Sequence, residues 1–378
     1  MKIVIAPDSF KESLTALQVA NAIEEGFKEV LKDAEYIKIP MADGGEGTVQ
    51  SLVDATNGKV IKKEVIGPLG KPVEAFFGIL GNGKTAVIEM AAASGLHLVP
   101  PEERNPLTTT TWGTGELILA ALDYGVDHII IGIGGSATND GGAGMAQALG
   151  AKLLNQEGKQ IGYGGGSLYQ IATIDITEMD TRLQNVKIEV ACDVNNPLVG
   201  PTGASAIYGP QKGATPEMVQ FLDQNLNHYA DIIKRDLNKN VKEIPGAGAA
   251  GGLGAGLLAF LSAELKRGVD IVISATNLEQ HMQGASLVIT GEGKIDSQTV
   301  NGKTPIGVAK IAKKYHIPVI AIAGNIARDS KIVYEHGIDA VFSIVPRVTS
   351  LQDAMENAEE YVRQTARNIA AVWNLVRN

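Results

Sequence analysis

Apolar residues in this 378-residue chain form short continuous runs near both ends and alternating runs in between. Residues 2–6 form the first continuous run, which is typical of a strand buried on both faces of a sheet. Thr15 and Gln18 then have the spacing of a capping box, and the apolar residues after them recur at helical spacing, so a helix is predicted there. A second strand at 36–39 and a second helix at 46–55 repeat this order. The alternation predicts a parallel sheet with crossover helices.

The middle of the chain has a different pattern. Strand-like runs joined by Gly-Pro and Asn-Gly turns predict antiparallel strands at 60–66, 73–80 and 86–90. Further elements are predicted as helices at 115–124, 142–149, 215–237, 253–265 and 270–281, and as strands at 128–133 and 187–191. The parallel pattern then returns, with strands at 287–290, 319–323 and 341–345 and helices at 305–314, 331–336 and 352–376.

These patterns predict an α/β protein with two α/β domains. A parallel-sheet domain of Rossmann-like or flavodoxin-like type is expected from both chain ends, residues 1–66 and 284–378. A second domain with a mixed sheet, residues 67–283, is expected between them. Residues 128–150 fit either domain. The length suits two or three domains of ordinary size.

Composition narrows the class of protein. Apolar residues make up 44% and charged residues 20%, and the formal net charge is -9 without any Lys/Arg run. Such a chain is a poor ligand for nucleic acid or a membrane surface. Cys192 is the single cysteine, which excludes a disulfide within the chain and a cysteine-based zinc site. No apolar stretch approaches the roughly 20 residues that span a bilayer, and the N-terminal run is too short for a signal peptide. We therefore expect a cytoplasmic monomer or homodimer.

Glycine recurs beside polar and charged residues in six loops, at 6–15, 41–48, 132–144, 192–203, 245–256 and 291–304. Glycine lets backbone amides approach an anion, and carboxylates beside it can hold a cation. Loops of this kind, placed mostly where apolar runs end, predict a site for a phosphate compound with a metal.

The first two loops carry candidate catalytic and metal-binding residues. Asp8 and Lys11 follow the first strand, at the sheet edge where open parallel sheets bind ligands. Asp8 can accept a proton or hold a metal, and Lys11 can meet a carboxylate or a phosphate. Asp43 and Glu46 lie among three glycines after the second strand, and their oxygens suit Mg²⁺.

The loop at 132–142 is the densest. It leaves a strand and enters a helix, so its amides and the helix N-terminus predict a phosphate cradle. The candidate nucleotide-binding residues in it are Gly134, Gly135, Ser136, Asn139 and Asp140. Two later loops resemble it in composition. In the loop at 291–304 the candidate site residues are Gly291, Glu292, Gly293, Lys294 and Asp296. In the loop at 192–197, where the signal is weaker, the candidate is Asp193.

Two familiar motif matches are rejected. Residues 78–85 fit the P-loop pattern, but Asn82-Gly83 lies between two strand-like runs, which favours a hairpin. Residues 246–251 fit the dinucleotide fingerprint, but the run at 240–244 before them is a poor strand, and residues 252–256 favour a glycine-rich helix start packed tightly on a neighbour.

The candidate residues that remain suit phosphoryl transfer. This reaction needs groups that position the two substrates, amides and cations that stabilise the phosphoryl oxygens, and a carboxylate that takes the proton of the acceptor hydroxyl. The segments APDSFKESLTA, MADGGEGT, GIGGSATNDGGAGMAQALG, CDVNNPL with YGPQKGA, PGAGAAGGLGAGL and GEGKIDSQTVNGKTPIGVA closely resemble the type I glycerate kinases. The resemblance covers nearly the whole chain. It implies ATP-dependent phosphorylation of D-glycerate, Mg²⁺ carried by the nucleotide, and an active site in a cleft between two α/β domains.

Roles for the candidates follow as hypotheses. The loops 132–142 and 291–296 would cradle the nucleotide phosphates, and Lys11 would hold the substrate carboxylate. Either Asp8 or Asp193 would receive the hydroxyl proton. The candidates for Mg²⁺ or its waters are Asp43, Glu46 and Glu292. Two other functions stay open: an NAD-dependent hydroxy-acid dehydrogenase, and a non-catalytic sensor of a phosphorylated metabolite. The choice between the 2- and the 3-hydroxyl of glycerate is also open.

Overall fold

A computed structural model describes residues 1–377, which fold into two compact units. The first unit contains residues 1–43, 50–57 and the chain from 269 onward, and the second contains residues 44–49 and 58–268. Both chain ends therefore belong to one unit, and residues 128–150 belong to the other. The predicted domain boundaries near 66 and 284 stay a prediction, since compactness does not show which segments fold independently.

The secondary structure alternates strands and helices over most of the chain. The strands are β1 (Lys2–Ile5), β2 (Glu35–Lys38), β3 (Lys59–Ile66), β4 (Pro72–Ile79), β5 (Thr85–Glu89), β6 (His128–Gly132), β7 (Lys152–Leu154), β8 (Thr173–Asp175), β9 (Lys187–Ala191), β10 (Glu264–Lys266), β11 (Leu287–Ile295), β12 (Val319–Ile326) and β13 (Ala340–Ser343). The helices are α1 (Ala16–Lys28), α2 (Thr48–Thr56), α3 (Ala91–Ser94), α4 (Trp112–Asp123), α5 (Ala143–Ala148), α6 (Ala204–Tyr208), α7 (Pro216–Leu237), α8 (Ala249–Leu261), α9 (Gly268–Ala275), α10 (Leu278–Met282), α11 (Thr304–Lys314), α12 (Leu351–Glu356) and α13 (Ala358–Arg377).

The first unit is built on a five-stranded sheet in the order β13-β12-β11-β1-β2, and every pairing in it is parallel. Ile3 and Ile5 of β1 are fully buried, and their cluster includes apolar residues of α1 and α13. Helix α1 begins with the predicted capping box, in which the Thr15 hydroxyl accepts from the Gln18 amide and the Gln18 side chain accepts from the Thr15 amide. The parallel sheet predicted from both chain ends is confirmed.

The second unit contains a six-stranded mixed sheet in the order β10-β9-β6-β5-β4-β3. Strands β3, β4 and β5 pair antiparallel, whereas β5, β6, β9 and β10 pair parallel. The predicted mixed sheet is therefore confirmed. Asn82 accepts hydrogen bonds from the amides of Lys84 and Thr85 in the turn between β4 and β5. This hairpin confirms the rejection of a P-loop at 78–85, because a strand follows the motif instead of a helix.

Several predicted elements differ from the structure. The strand predicted at 287–290 continues to Ile295, because β12 keeps pairing with it as far as the Ile295–Ile326 pair. The helix predicted at 253–265 keeps its predicted start, because residues 250–252 of α8 have left-handed backbone conformations. It ends at Leu261, because Ser262 is also left-handed and residues 264–266 pair with β9 as β10. The helix predicted at 46–55 starts at Thr48.

Other differences lie near the C-terminus and in short elements. The helix predicted at 352–376 is divided into α12 and α13 at Asn357, whose side chain donates to the Asp353 carbonyl. Residues 330–336 form a 3₁₀ helix rather than an α-helix. Strands β7, β8 and β10 were not predicted, since three residues are too few for a periodic signal. None of the helices within residues 1–377 has both the length and the apolar composition that a bilayer crossing requires.

Candidate functional site

In the first unit, the carboxyl ends of β1, β2 and β11 lie side by side. The Asp8 amide donates to the Gly291 carbonyl at 2.9 Å, and the Met41 amide donates to the Pro7 carbonyl at 2.9 Å. The segment that follows β1 therefore lies between the distal half of β11 and the segment that follows β2. This edge is where open parallel sheets bind their ligands.

Asp8 is the most perturbed carboxyl at this edge. Its side chain is 9% exposed, and one oxygen, Oδ2, accepts from the Thr304 hydroxyl at 2.5 Å. The other oxygen, Oδ1, accepts from the Ser9 amide at 2.7 Å. Burial and the negative charge of Asp43 raise the pKa of Asp8 to about 7, although the hydrogen bond from Thr304 opposes them. A carboxyl with this pKa is poised to exchange a proton near neutral pH.

Glu292 lies in β11, where its side chain is 8% exposed. Its carboxylate accepts from the Thr299 hydroxyl at 2.6 Å and lies 3.4 Å from the Lys303 ammonium. Burial raises the pKa of Glu292, while the Thr299 hydrogen bond and the Lys303 charge lower it. The negative charge of Glu292 also raises the pKa of Asp8, so Asp43 and Glu292 both act on Asp8.

The other predicted residues of this segment have local partners. The Lys294 ammonium lies 3.0 Å from the Asp296 carboxylate. Asp296 also accepts from the Gln298 amide at 2.9 Å, so it caps the 3₁₀ turn after β11. Gly291 is enclosed by β12, since a Cβ on it would lie 2.2 Å from the Ile322 carbonyl.

Lys11 lies in an exposed turn at residues 11–13, which a bridge between Phe10 and Leu14 closes. The turn runs beside β11, because a Cβ on Gly293 would lie 3.7 Å from the Lys11 amide. The Lys11 ammonium has no protein partner among the described residues and is available to an anion.

The carboxylates of the first unit fit a metal only if a ligand completes the site. Within residues 1–377 no three His, Cys, Asp or Glu side chains are grouped so as to hold an ion by themselves. The charges of Asp43 and Glu292, which both raise the pKa of Asp8, nevertheless show that acidic groups are concentrated at this edge. Mg²⁺ is commonly held by one or two carboxylates together with substrate phosphates, and this donor set suits that arrangement. Glu46 belongs to the second unit, where it is exposed.

In the second unit, three parallel strands end in line. Glu89 of β5 is in register with Gly132 of β6, and Gly132 is in register with Ala191 of β9. Glu89 is 8% exposed, and its carboxylate accepts from the Val49 amide at 2.8 Å, at the start of α2. Asp193 follows β9, is exposed, and accepts from the Gly268 amide at 3.1 Å. Glu89 and Asp193 therefore both lie at the carboxyl ends of the parallel strands of this sheet.

Residues 133–142, the glycine loop, connect β6 to α5 along this edge. Gly134 and Gly135 are exposed, whereas the residues from Ser136 to Gly142 are buried. A Cβ on Gly134 would meet no atom nearer than 3.9 Å. The amides at the exposed end of the loop are therefore accessible to a ligand, as a phosphate cradle requires.

Asp140 holds the buried end of the glycine loop. It is 0% exposed, and its carboxylate accepts from the Thr111 amide at 2.9 Å and the Thr111 hydroxyl at 2.8 Å. It also accepts from the amides of Gly142 and Gly144, each at 3.2 Å. Burial raises the pKa of Asp140, and these hydrogen bonds lower it. Its four donors are all protein groups, so the carboxylate fixes the loop to the start of α4. Beside it, the Asn139 side chain donates to Ser205 at 2.9 Å.

Lys212 is a site residue that sequence reasoning did not single out. It is 1% exposed, and its ammonium donates to the Ser136 hydroxyl at 2.7 Å and to the Thr138 carbonyl at 2.6 Å. Burial lowers the pKa of Lys212 to about 7, and the charge of Asp140 opposes this shift. The one available signal was its position in GPQKGA, within a segment that carries the family resemblance. The glycine loop is thus held by two buried groups of opposite charge.

The glycine-rich segment 245–256 packs directly against the glycine loop. The Gly141 amide donates to the Gly251 carbonyl at 3.0 Å, and a Cβ on Gly251 would lie 1.9 Å from the Thr138 carbonyl. This contact confirms the predicted tight packing of the segment. Residues 240–244 form no strand, so the fingerprint at 246–251 lacks the βαβ context of a dinucleotide site.

A family model described as the glycerate kinase family matches residues 3–374 of the chain. The chain belongs to the glycerate kinase family. It is 65% identical over 377 residues to a glycerate kinase of Bacillus subtilis (strain 168), and the match covers 100% of this chain and 99% of that protein. It is 60% identical to a glycerate 2-kinase of Escherichia coli (strain K12), with 98% of this chain and 97% of that protein covered.

A solved structure gives the same assignment. The crystal structure of a candidate glycerate kinase 2 from Salmonella typhimurium LT2 matches with a TM-score of 0.93 and 59% identity, over 100% of this chain and 99% of that one. The predicted fold class and the predicted kinase are therefore confirmed, and no comparison supports a dehydrogenase or a sensor. The roles predicted for individual residues stay predictions.

Proposed function

We propose that this member of the glycerate kinase family transfers the γ-phosphoryl group of ATP to a hydroxyl of D-glycerate. The six long motifs of the type I enzymes favour that branch of the family. The observation that carries the proposal is Asp8, a buried carboxyl with a pKa of about 7 at the ligand-binding edge of a parallel sheet. Both substrates are cytosolic metabolites, so we keep the predicted cytoplasmic location.

The chemistry assigned to Asp8 is general base catalysis. The Asp8 carboxylate takes the proton of the acceptor hydroxyl as its oxygen attacks the γ-phosphorus. The bond from that phosphorus to the oxygen of the β-phosphate breaks, and ADP leaves. The second candidate for this role, Asp193, is exposed and accepts a hydrogen bond from the Gly268 amide.

The nucleotide is assigned to the glycine loop. The amides of Gly134 and Gly135 are accessible, and Asp140 and Lys212 fix the rest of the loop from within. In this role Ser136, Asn139 and Asp140 act by shaping the loop, since their side chains bond protein groups. The predicted nucleotide contacts of β11 and the turn after it are kept in the proposal: Gly291, Gly293, Lys294 and Asp296.

Mg²⁺ is assigned to the carboxylates predicted for it, with the nucleotide phosphates completing its ligands. Asp43 and Glu292 would hold the ion or its waters, as would Glu46. When bound, the ion supplies positive charge that stabilises the transferring phosphoryl oxygens. Lys11 would hold the carboxylate of glycerate, because its ammonium is exposed beside β11.

The phosphorylated position is proposed to be the 2-hydroxyl. The proposal rests on the name of the Escherichia coli relative, a glycerate 2-kinase that is 60% identical to this chain. The product then is 2-phosphoglycerate.

The test is turnover with purified protein, D-glycerate, ATP and MgCl₂. ADP release is followed by a coupled assay, and the product is identified by ³¹P NMR. We expect ADP and 2-phosphoglycerate in equal amounts, and loss of turnover with EDTA. Release of no ADP would favour the sensor, and NADH formation from glycerate and NAD would favour the dehydrogenase. A signal for 3-phosphoglycerate would reject only the proposed position.

A further inference from the structure

Arg104 is a cation without a protein partner. Its guanidinium makes no hydrogen bond or ion pair among the described residues, and its Nε is buried without any acceptor. A buried donor that stays unpaired is destabilising, and more so if it is charged. The exposed Arg182, by contrast, pairs with Asp123 and Asp180. An unpaired, partly buried guanidinium therefore indicates a ligand that supplies the acceptor.

The chain around Arg104 borders the glycine loop on both sides. Before it, the Leu96 amide donates to the Gly135 carbonyl at 2.8 Å, and the Ser94 carbonyl accepts from the Ala137 amide at 3.0 Å. After it, the Thr109 hydroxyl donates to the Ala137 carbonyl at 2.9 Å. The chain thus leaves the loop near residue 96 and returns to it at residue 109. Arg104 lies in the excursion between these anchors.

Arg104 is also packed against the residue next to Lys212. A Cβ placed on Gly213 would lie 3.0 Å from the Arg104 Cβ and 2.4 Å from its carbonyl oxygen. The ammonium of Lys212 bonds Ser136 of the glycine loop, so Arg104, Lys212 and this loop are neighbours. Two cations therefore border one glycine-rich loop.

The anionic side chain inside this region does not neutralise Arg104. Asp140 is saturated by four donors from Thr111, Gly142 and Gly144. Glu102 and Glu103 precede Arg104 but are exposed and form no ion pair with it. No acidic side chain among the described residues therefore forms an ion pair with Arg104.

We propose that Arg104 is a ligand-binding residue that donates to an oxyanion of a substrate at the border of the glycine loop. This inference rests on the proposed function, which offers two oxyanions of suitable chemistry: the phosphates of ATP and the carboxylate of glycerate. The planar guanidinium presents paired donors that match either group. Arg104 would be held in place by the packing of its backbone against Gly213.

The test compares Arg104→Met and Arg104→Lys with the wild type in two arms. One arm measures KM for ATP and the Kd of a nonhydrolysable ATP analogue. The other measures KM for D-glycerate and for its neutral amide, glyceramide. Loss of a charge-assisted hydrogen bond predicts a rise of about tenfold to hundredfold in one arm for Arg104→Met, with a smaller rise for Arg104→Lys.

The two arms identify the source of the anion. If Arg104 holds phosphate, KM for ATP and the analogue's Kd rise together while KM for glycerate stays within twofold. If it holds the substrate carboxylate, KM for glycerate rises while the value for glyceramide does not. Millimolar guanidinium should restore part of the lost activity to Arg104→Ala, which a purely structural role would not allow.

Arg182→Met is the matched control, since it removes an exposed arginine of the same unit and should leave every constant within twofold. If Arg104→Met unfolds below the assay temperature, the constants of Arg104→Lys are used to test the inference, because lysine keeps the charge and the aliphatic part of the side chain. Unchanged constants in both arms for a folded Arg104 variant would overturn the inference and leave the proposed function standing. An inactive wild type would instead reject the proposed function, and the analogue's Kd would still test Arg104.

Discussion

The hydroxyl of Thr304 donates to the carboxylate of Asp8 at 2.5 Å, although the two residues are 296 positions apart in the chain. Thr304 is the first residue of α11, and Asp8 follows β1. The bond lowers the pKa of Asp8, against the stronger effects of burial and of the charge on Asp43. Thr304 therefore lowers the pH at which the Asp8 carboxyl ionises.

Replacing Thr304 tests this relationship. In Thr304→Val the hydroxyl is lost while the shape of the side chain is kept, so the pKa of Asp8 should rise. We expect the acid limb of kcat/KM to move to higher pH, with a larger loss at pH 6.5 than at pH 9. Thr304→Ser is the matched control, because it keeps the hydroxyl and should keep the limb near its wild-type position. If the acid limb of kcat/KM does not move in Thr304→Val, the carboxyl that limits activity is not the one that Thr304 contacts.

Asp8 should also limit stability. Its pKa is raised from 3.8 to about 7 on folding, so the native protein binds this proton more tightly than the unfolded chain does. The destabilising effect is absent below pH 4, grows between pH 4 and pH 7, and is complete above pH 7. Asp8→Asn should therefore raise the free energy of unfolding by up to about 4 kcal/mol at pH 8, and by little at pH 4. Denaturant unfolding at the two pH values measures this, and an equal effect at both would contradict the raised pKa.

Lys212 should control the affinity for ATP through the glycine loop. Lys212→Met leaves the Ser136 hydroxyl and the Thr138 carbonyl without their donor and Asp140 without a nearby cation. We expect KM for ATP to rise tenfold or more, with a smaller effect on kcat. Ile188→Ala is the control for general destabilisation, because Ile188 lies in the core of the same unit. An equal rise in KM for both variants would mean that Lys212 acts only on stability.

The exposed glycines of the loop should be sensitive to a single methyl group. Gly134→Ala has room for its Cβ in the free protein, so its melting temperature should stay near that of the wild type. The methyl group would nevertheless stand where a phosphate approaches the amides, and KM for ATP should rise about tenfold. Gly158→Ala, at an open turn of the same unit, should leave KM unchanged. Normal ATP affinity in Gly134→Ala would place the nucleotide elsewhere.

Local patterns in the sequence predicted much of the fold. The apolar runs at both ends identify the parallel sheet because such strands are buried on both faces. The Asn82-Gly83 pair identifies the hairpin between β4 and β5, because turn residues act on their immediate neighbours in the chain. Polar residues at strand ends likewise pointed to Asp8 and Glu292. Each of these features could be predicted because the pattern that indicates it lies within a few consecutive residues.

The remaining features depend on partners that are distant in sequence. Lys212 looked like a residue of a Gly-Pro turn, and only folding brings its ammonium to Ser136, 76 positions away. Glu89 ends an ordinary buried strand, yet it caps α2, which precedes it by 40 positions. The length of β11 was underestimated because glycines at 291 and 293 resemble a loop, whereas pairing with β12 keeps them extended.

The measurement that tests the account most directly is the pH profile of kcat/KM for D-glycerate in Asp8→Asn and in the wild type. The wild type should lose activity as the pH falls through about 7, because kcat/KM reports the free enzyme and protonation removes the base. Asp8→Asn should be about a hundredfold or more slower at pH 8 and should lack this limb, while Asp193→Asn keeps it. Near-normal turnover of Asp8→Asn at pH 8 would contradict the assignment of Asp8 as the base.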